Sequence, residues 1–242
     1  MPSTDSSTRS STGLSFPHSY SCRKYKGTHL AMRAFKRYVA KASLNDTKTL
    51  WALKCDIKKF FASVDQGVLS KILERRIPDA NILRLIGRVT ESFSSTAPGK
   101  GLPLGNLTSQ LLVNVYMNEF DQFVKHKLKV KYYIRYADDF VILSRDKEWL
   151  ESLLPRIEKF LWNELRLTLH PKKVSIHTIA SGVDFLGWVH FPDHRVLRRT
   201  TKRRMLRRTA GLQQESAIVQ SYKSLLKHGN TKKLWRRLTK SS

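Results

Sequence analysis

The spacing of apolar and polar residues predicts helices that alternate with short strands. Residues 29–43 and 107–128 carry apolar side chains three and four positions apart, which is the pattern of a helix packed on one face. The run TLWALKCDIKKFF, residues 49–61, predicts a strand with a buried middle that ends at Asp56. YYIRYADDFVIL, residues 132–143, predicts two strands joined by a tight turn.

Three further segments are predicted to be helical and one to be a short hairpin. The predicted helices cover residues 66–77, 80–93 and 148–165, and the hairpin covers residues 183–191 around Gly187. Apolar periodicity continues up to this hairpin without a linker, so these elements are expected to form one domain. Helices mixed with antiparallel hairpins indicate an α+β fold.

The two ends of the chain differ in composition from this central part. Residues 1–15 are mostly Ser and Thr and offer almost nothing to bury, so we expect a disordered tail. After Val196 the chain carries many Lys and Arg and few acids, and helical spacing returns in residues 220–238. We therefore expect a central domain over residues 16–191 and a small basic helical unit over residues 192–242.

The charge of the chain indicates a polyanionic partner. The formal net charge is +26 over 242 residues, and such an excess attracts nucleic acid through the release of counterions. A basic protein that is merely adhesive or ribosome-like is the alternative. The 40% of residues that are hydrophobic are enough to fill a core, which excludes a wholly disordered chain.

Cysteine content and apolar run length indicate the compartment. The cysteines are Cys22 and Cys55, and Cys55 lies in an apolar run where a thiol usually behaves as a small buried residue. We therefore expect no disulfide and a reducing environment. No apolar run approaches the roughly 20 residues of a membrane span, and the N-terminus lacks a signal peptide pattern. The prediction is a cytoplasmic protein that does not contact a membrane.

Acidic residues stand at two predicted strand ends. Asp138 and Asp139 occupy the hairpin tip, where Asp also occurs for local hydrogen bonding alone. If the strand that ends at Asp56 neighbours this hairpin, the three carboxylates converge and repel one another unless a cation lies between them. Carboxylate oxygens suit Mg²⁺, and a pair of such ions activates a hydroxyl and stabilises a leaving pyrophosphate. Together with the basic surface, this points to phosphoryl transfer on a nucleic acid.

Four motifs in one order carry a family resemblance: CDIKKFFASVD, GLPLGNLTSQ, YADD, and LTLHPKKVSI followed by DFLGW. The chain resembles a reverse transcriptase, an RNA-directed DNA polymerase with a right-hand fold of fingers, palm and thumb. The resemblance implies partial fingers and palm over residues 16–191 and a basic helical thumb over residues 192–242. It also implies an RNA template, a DNA or RNA primer and dNTP substrates.

The resemblance assigns the chemistry to particular positions. Asp56 and Asp138 would be the main ligands of two Mg²⁺ ions, with Asp139 as their partner and the backbone carbonyl of Ile57 close to a metal. Lys173 matches a lysine that helps the departing pyrophosphate, although a solvated surface lysine is the alternative.

Further positions are implied for binding the nucleotide and the primer. Phe61 matches a ring that excludes the ribose 2′-hydroxyl, which implies deoxynucleotide substrates. The segment from Gly101 to Gln110 matches the one that runs under the incoming nucleotide, where glycine allows close approach of the backbone. The implied nucleotide-binding and primer-grip residues are Pro103, Leu104 and Gly105, and Phe185, Leu186, Gly187 and Trp188, respectively.

The basic C-terminal unit suits contacts with the backbone of a nucleic acid. Arg and Lys are dense there, and Tyr222 and Trp235 are interleaved for stacking, whereas a solvated helical face is the alternative. The predicted nucleic-acid-binding residues are Arg203, Arg204, Arg207, Arg208, Lys232 and Lys233.

One departure from the common pattern indicates a subgroup. Most reverse transcriptases carry Gln-Gly followed by Ser-Pro, whereas this chain has Leu104-Gly105 followed by Ser109-Gln110. This resembles the branch found in diversity-generating retroelements, which makes cDNA with errors at adenines and works with a small basic pentameric accessory protein. Losing a polar side chain at Leu104 would remove a contact that steadies the nucleotide or template.

The N-terminal region is shorter than the family pattern, so we expect an N-terminally truncated fingers segment. Arg23, Lys24 and Lys26 could supply part of a triphosphate grip, with solvated charge as the alternative. The other functions that remain open are a group II intron-type reverse transcriptase, a retron-type enzyme and a catalytically impaired RNA-binding remnant.

Overall fold

Helices and antiparallel strands alternate along the chain in the computed structural model, which describes residues 18–21, 25–93, 97–103 and 106–240. The helices are α1 (Thr28–Ala42), α2 (Phe60–Ser63), α3 (Gln66–Glu74), α4 (Ala80–Glu91), α5 (Leu107–Gln122), α6 (Lys147–Leu165), α7 (Arg199–Thr209), α8 (Ala217–Leu226) and α9 (Lys232–Lys240). The strands are β1 (Trp51–Asp56), β2 (Tyr132–Tyr136), β3 (Asp139–Ser144), β4 (Ser175–Thr178), β5 (Val183–Phe185), β6 (Trp188–His190) and β7 (Arg195–Leu197).

The central sheet has four antiparallel strands in the order β2-β3-β1-β4. Successive side chains of a strand point to opposite faces, so β1 sends Leu53 and Cys55 into the core and Lys54 and Asp56 to the other face. The β1–β3 register places Asp56 directly opposite Asp139, so these two side chains share a face. The sheet therefore has one mainly apolar face, which also carries the buried Arg135, and one face that becomes charged toward a single end.

Two hydrophobic clusters cover the two faces. The apolar face packs against α3, α5 and α6, whose contributions include Leu69, Tyr116 and Leu161, each at most 1% exposed. The other face packs at its far end against α1 through Phe35 and Val39. The charged end of this face is left open.

A second antiparallel sheet, β5-β6-β7, links the central sheet to the C-terminal helices. Trp188 on β6 packs with Met205 of α7 and Leu226 of α8 in a third cluster. Gly229 faces this ring so closely that an added Cβ atom would lie 2.0 Å from it, so a larger residue would displace Trp188. The basic C-terminal helices are thus anchored on the β5–β6 hairpin.

The predicted α+β fold and its principal elements are confirmed. The α-helix predicted over residues 107–128 is shorter in the structure: α5 ends at Gln122, and one π-helical turn, Phe123–Lys127, follows it. The helical pattern of residues 220–238 belongs to two helices, α8 and α9, and the short strands β4 and β7 were not predicted.

Cys55 is free and buried, and Cys22 lies outside the described residues. Within the described ranges, no helix has the length and apolar character that a membrane crossing needs.

Candidate active site

The three predicted acidic residues meet at the open end of the central sheet. Asp56 is the last residue of β1 and pairs across the ladder with Asp139, the first residue of β3. Asp138 lies in the turn before β3, and its carbonyl accepts a hydrogen bond from the Ile57 amide at 3.2 Å. The ends of β1 and of the β2–β3 hairpin are therefore adjacent, as the sequence analysis required.

Two lysines partly balance these carboxylates. The Lys173 ammonium lies 3.0 Å from both carboxylate oxygens of Asp56. The Lys54 ammonium lies 3.6 Å from Oδ2 of Asp139. The other oxygen of Asp139, Oδ1, is buried and has no hydrogen-bond partner among the described residues. Three carboxylates thus face two ammonium groups, and one oxygen is left without a donor.

The electrostatics of the site disfavour the ionised acids. Burial is the main cause that raises the pKa of Asp139; Lys54 opposes the rise, Asp56 and Asp138 add to it, and the resulting pKa is about 7. Burial also raises the pKa of Asp138, and the nearby Asp56 carboxylate adds to the rise. A cation bound between these groups would favour their charged forms, because it would offset both the desolvation and the mutual repulsion.

The carboxylates line a cleft of about 580 Å³. Its walls also hold Asp184 and Arg198, whose Nε donates to Asp184 Oδ1 at 2.8 Å. Over the described part of the chain, no three or more His, Cys, Asp or Glu side chains form a group that could by itself hold a metal ion. The unpartnered oxygen of Asp139 and the excess of carboxylates nevertheless fit Mg²⁺, which takes few protein ligands and keeps water and phosphate in its other positions. A smaller cavity of about 320 Å³, between α1 and residues 190–195, contains none of the predicted site residues.

Lys173 is held beside Asp56 by the backbone that precedes it. The His170 amide donates to the Asp56 carbonyl at 2.8 Å, and the Lys58 amide donates to the Thr168 carbonyl at 2.9 Å. The Lys173 amide donates in turn to the His170 carbonyl at 2.9 Å. The Lys173 side chain is 51% exposed, so its ammonium faces the open cleft while it pairs with Asp56.

Phe61 lies next to the segment predicted to run under the nucleotide. Phe60 is buried, as expected for a core aromatic residue, whereas Phe61 is only partly buried. The Leu102 amide donates to the Phe61 carbonyl at 2.8 Å, and Pro103 is the last described residue before a gap. Leu104 and Gly105 lie outside the described residues.

The predicted primer grip is a turn supported by two buried rings. Phe185 and Trp188 are 0% and 1% exposed, so their side chains belong to the core and do not reach into the cleft. Leu186 and Gly187 form the turn itself with positive φ angles of 54° and 81°. Any contact with a primer would therefore come from the backbone of this turn and from the Leu186 side chain.

The predicted nucleic-acid-binding residues of the C-terminal helices are exposed. On α7 they flank Met205, which is fully buried and fixes the orientation of the helix. These exposed residues are Arg203, Arg204, Arg207, Arg208, Lys232 and Lys233.

Sequence reasoning did not single out Lys54 or the Asp184–Arg198 pair. Lys54 precedes Asp56 by two positions, so strand alternation alone places both side chains on the same face. Asp184 lies on β5 and Arg198 immediately precedes α7, and no sequence spacing connects them.

The family model described as "Reverse transcriptase (RNA-dependent DNA polymerase)" matches residues 12–190. Among curated proteins, the chain is 26% identical to "Protein YkfC" of Escherichia coli over 82% of its own length and 60% of that protein. It is 24% identical to "Group II intron-encoded protein LtrA" of Lactococcus lactis over 77% of its own length and 40% of that protein. The chain thus spans only part of both relatives.

Solved structures of telomerase share the fold. An apo telomerase from Candida tropicalis, truncated from its C-terminal domain, matches 75% of this chain and 41% of its own with a TM-score of 0.56 and 12% identity. A Candida albicans telomerase in complex with a telomeric RNA fragment matches 91% of this chain and 44% of its own with a TM-score of 0.55 and 12% identity. At this identity the likeness concerns the fold alone.

Proposed function

Because the chain belongs to the reverse transcriptase (RNA-dependent DNA polymerase) family, we propose that it is an RNA-directed DNA polymerase that joins deoxynucleotides by two-metal nucleotidyl transfer. The observation that carries the proposal is the convergence of Asp56, Asp138 and Asp139 at one open end of the sheet. The chain spans 60% and 40% of the two curated relatives, so the activities of those whole proteins do not transfer to it directly. The support for a polymerase activity of this chain is therefore the family and this site.

The carboxylates would hold two Mg²⁺ ions, with the Ile57 carbonyl nearby. When bound, these ions would lower the pKa of the primer 3′-hydroxyl and offset the charge on the leaving pyrophosphate. The sheet would fix the directions of the acids, and Lys173 would move from Asp56 to a phosphate oxygen of the pyrophosphate. Alignment and charge stabilisation would then provide most of the rate enhancement.

The remaining residues would bind the substrates. Phe61 would exclude a ribose 2′-hydroxyl, so that dNTPs are used, and the backbone of residues 101–105 would approach the incoming nucleotide. The turn at Leu186 and Gly187 would position the primer end. The exposed Arg and Lys residues of α7 and α9 would contact phosphates of the template and primer.

Primer extension on an RNA template with Mg²⁺ tests this function. Asp138→Asn keeps the shape of the side chain and removes its charge, so we expect the rate to fall by about 10³-fold or more. Asp146→Asn is the matched control, because Asp146 caps α6 outside the cleft and Asn caps equally well. RNA binding without extension by the wild-type protein would instead identify a catalytically impaired RNA-binding remnant.

Two branches of the family are candidates for the biological role. Leu104 before Gly105, with Ser109 and Gln110 after them, favours an error-prone enzyme of a diversity-generating retroelement. A pentameric basic accessory protein would belong to that role. The similarity to the intron-encoded LtrA favours a group II intron-type enzyme instead.

The error spectrum separates the two branches. Misincorporation concentrated opposite template adenines supports the diversity-generating role, and we expect Leu104→Gln to lower it. An even spectrum that Leu104→Gln leaves unchanged supports the intron type.

A further inference from the structure

Buried polar groups hold the catalytic turn from behind. The amide of Ala137, the residue before Asp138, donates to the Ser21 hydroxyl at 3.2 Å. The carbonyl of Ala137 accepts from Nη1 of Arg135 at 3.0 Å. Both backbone groups of this residue are therefore bonded to side chains that lie outside the turn.

The turn needs such support because its conformation is unfavourable. Ala137 has a positive φ of 56°, a conformation that is unfavourable for a residue other than glycine. Glycine usually occupies the first position of a two-residue hairpin turn with this backbone. An alanine in this conformation persists only where surrounding contacts hold it, and the direction of the next side chain, Asp138, depends on it.

Arg135 is fixed so completely that it can serve as a rigid support. Its side chain is 0% exposed, and its Nε and Nη2 atoms donate to the two oxygens of Asp121 at 2.8 and 2.7 Å. The Tyr133 hydroxyl donates to the same carboxylate at 2.6 Å. A bidentate pair sets the plane of the guanidinium, so the third contact, to Ala137, has a defined direction.

Ser21 reaches the Ala137 amide because residues 18–20 pair with β2. The Tyr20 amide donates to the Arg135 carbonyl, and the Arg135 amide donates to the His18 carbonyl, both at 3.1 Å. The segment thus runs parallel to β2 along the edge of the sheet. The Asn114 side chain donates to the Ser21 carbonyl at 3.1 Å, which fixes the end of the segment.

On the basis of the proposed polymerase function, we propose that Ser21 and Arg135 are positioning residues that hold the turn of Asp138 in its metal-binding orientation. Neither side chain would touch the substrates. Both would act on the reaction through the two backbone bonds of Ala137.

The chain offers a matched pair of substitutions for the test. Ser21→Ala removes the hydroxyl that binds the turn. Ser19→Ala removes an equally buried hydroxyl in the same segment, but that group bonds to Asn114 at 2.8 Å and not to the turn. Both variants lose one buried hydrogen bond, so a merely structural role predicts the same effect for both.

We expect Ser21→Ala to lower kcat for primer extension by about tenfold while KM for dNTP stays within about twofold, because a small misplacement of a catalytic group acts on the reaction step. Mn²⁺ binding to the protein without substrates, followed by electron paramagnetic resonance, should weaken by about tenfold. Ser19→Ala should change each quantity by less than about twofold. Equal effects of the two variants on kcat and on Mn²⁺ binding would overturn the proposal.

Hydrogen exchange of the wild-type protein tests the same contact without any substitution. The Ala137 amide should exchange slowly although it lies in a turn, and exchange as fast as that of a solvent-exposed loop amide would overturn the proposal. Failure of the polymerase function is distinguishable, because wild-type protein would then not extend primers, while Mn²⁺ binding and amide exchange still report on the turn.

Discussion

The β2–β3 hairpin carries one group of charged residues on each of its two faces. Behind it, Arg135 and Asp121 are almost fully buried and form two parallel hydrogen bonds, with Tyr133 on the same carboxylate. In front of it, Asp138 and Asp139 meet Asp56, and the lysines nearby balance them only in part. Each group joins residues of this hairpin to an acid from another element, Asp121 of α5 or Asp56 of β1, but only in the first group are the charges fully paired.

The pKa values express this difference. Burial disfavours the charged form of Arg135, but the carboxylate of Asp121 and the contact with Tyr133 outweigh it, so the pKa of Arg135 is raised. Asp139 is also buried, but the partial pairing with Lys54 does not offset the cost, and its pKa rises to about 7. A structural ion pair thus satisfies its own charges, whereas the ionised site retains a negative charge that a bound cation would offset.

The largest effect is expected from breaking the complete pair. Asp121→Asn keeps the shape of the side chain but leaves the buried Arg135 guanidinium without its counter-charge. We expect the free energy of unfolding to fall by about 3–5 kcal/mol, as measured by urea denaturation at pH 7. The exposed Asp146→Asn should change it by less than about 0.5 kcal/mol.

A double variant sharpens this test. Replacing both partners, as in Asp121→Leu with Arg135→Met, removes the two buried charges together and should cost less than Asp121→Asn alone. A double variant that is less stable than the single one would show that the hydrogen bonds of the pair, and not the unpaired charge, determine the loss.

The sequence predicted the three carboxylates of the site better than the buried Arg135–Asp121 pair on the other face of the hairpin. Asp56 and the two acids of the turn stand at strand ends in the sequence, so one assumption, that the strands are neighbours, was enough to bring them together. Arg135 also stands out, as a charged residue inside an apolar strand. Its partner Asp121 could not be identified, because their contact depends on how α5 lies across the sheet.

Long helices were recognised from periodicity, and the short strands of the two hairpins were recognised from the turns that join them, whereas two further short strands were missed. The strands β4 and β7 have four and three residues, too few for an alternation to be seen. The roles predicted for Phe185 and Trp188 illustrate a second limit. Motif similarity predicted them at the primer grip, and that role stays a prediction; their burial in the core, which depends on the packed fold, could not be deduced from the motif.

Removing the charge of Asp139, one of the three carboxylates of the site, should stabilise the protein. Asp139→Asn in the presence of EDTA is expected to raise the free energy of unfolding at pH 8 by about 2 kcal/mol. The native carboxyl has a pKa of about 7 against an ordinary value of 3.8, so its ionisation destabilises the native state increasingly as pH rises from 4 to above 7. Asn has no such cost, and the gain should therefore vanish at pH 4. An equal gain at pH 4 and pH 8 would attribute it to packing.

The smallest effect is expected from removing one of the two lysine charges that partly balance the carboxylates of the site. Lys54 opposes the rise of the Asp139 pKa from 3.6 Å away, so Lys54→Gln should raise that pKa by about one further unit, measured by carboxyl-carbon NMR titration in EDTA. Lys172→Gln removes the same charge from an exposed position in the same cleft and should shift the pKa by less than about 0.3 units, because solvent screens it. Equal shifts would mean that Asp139 responds to the net charge of the cleft and not to its partner. A shift confined to Lys54→Gln would show that this one lysine determines how much negative charge the site retains for a metal ion.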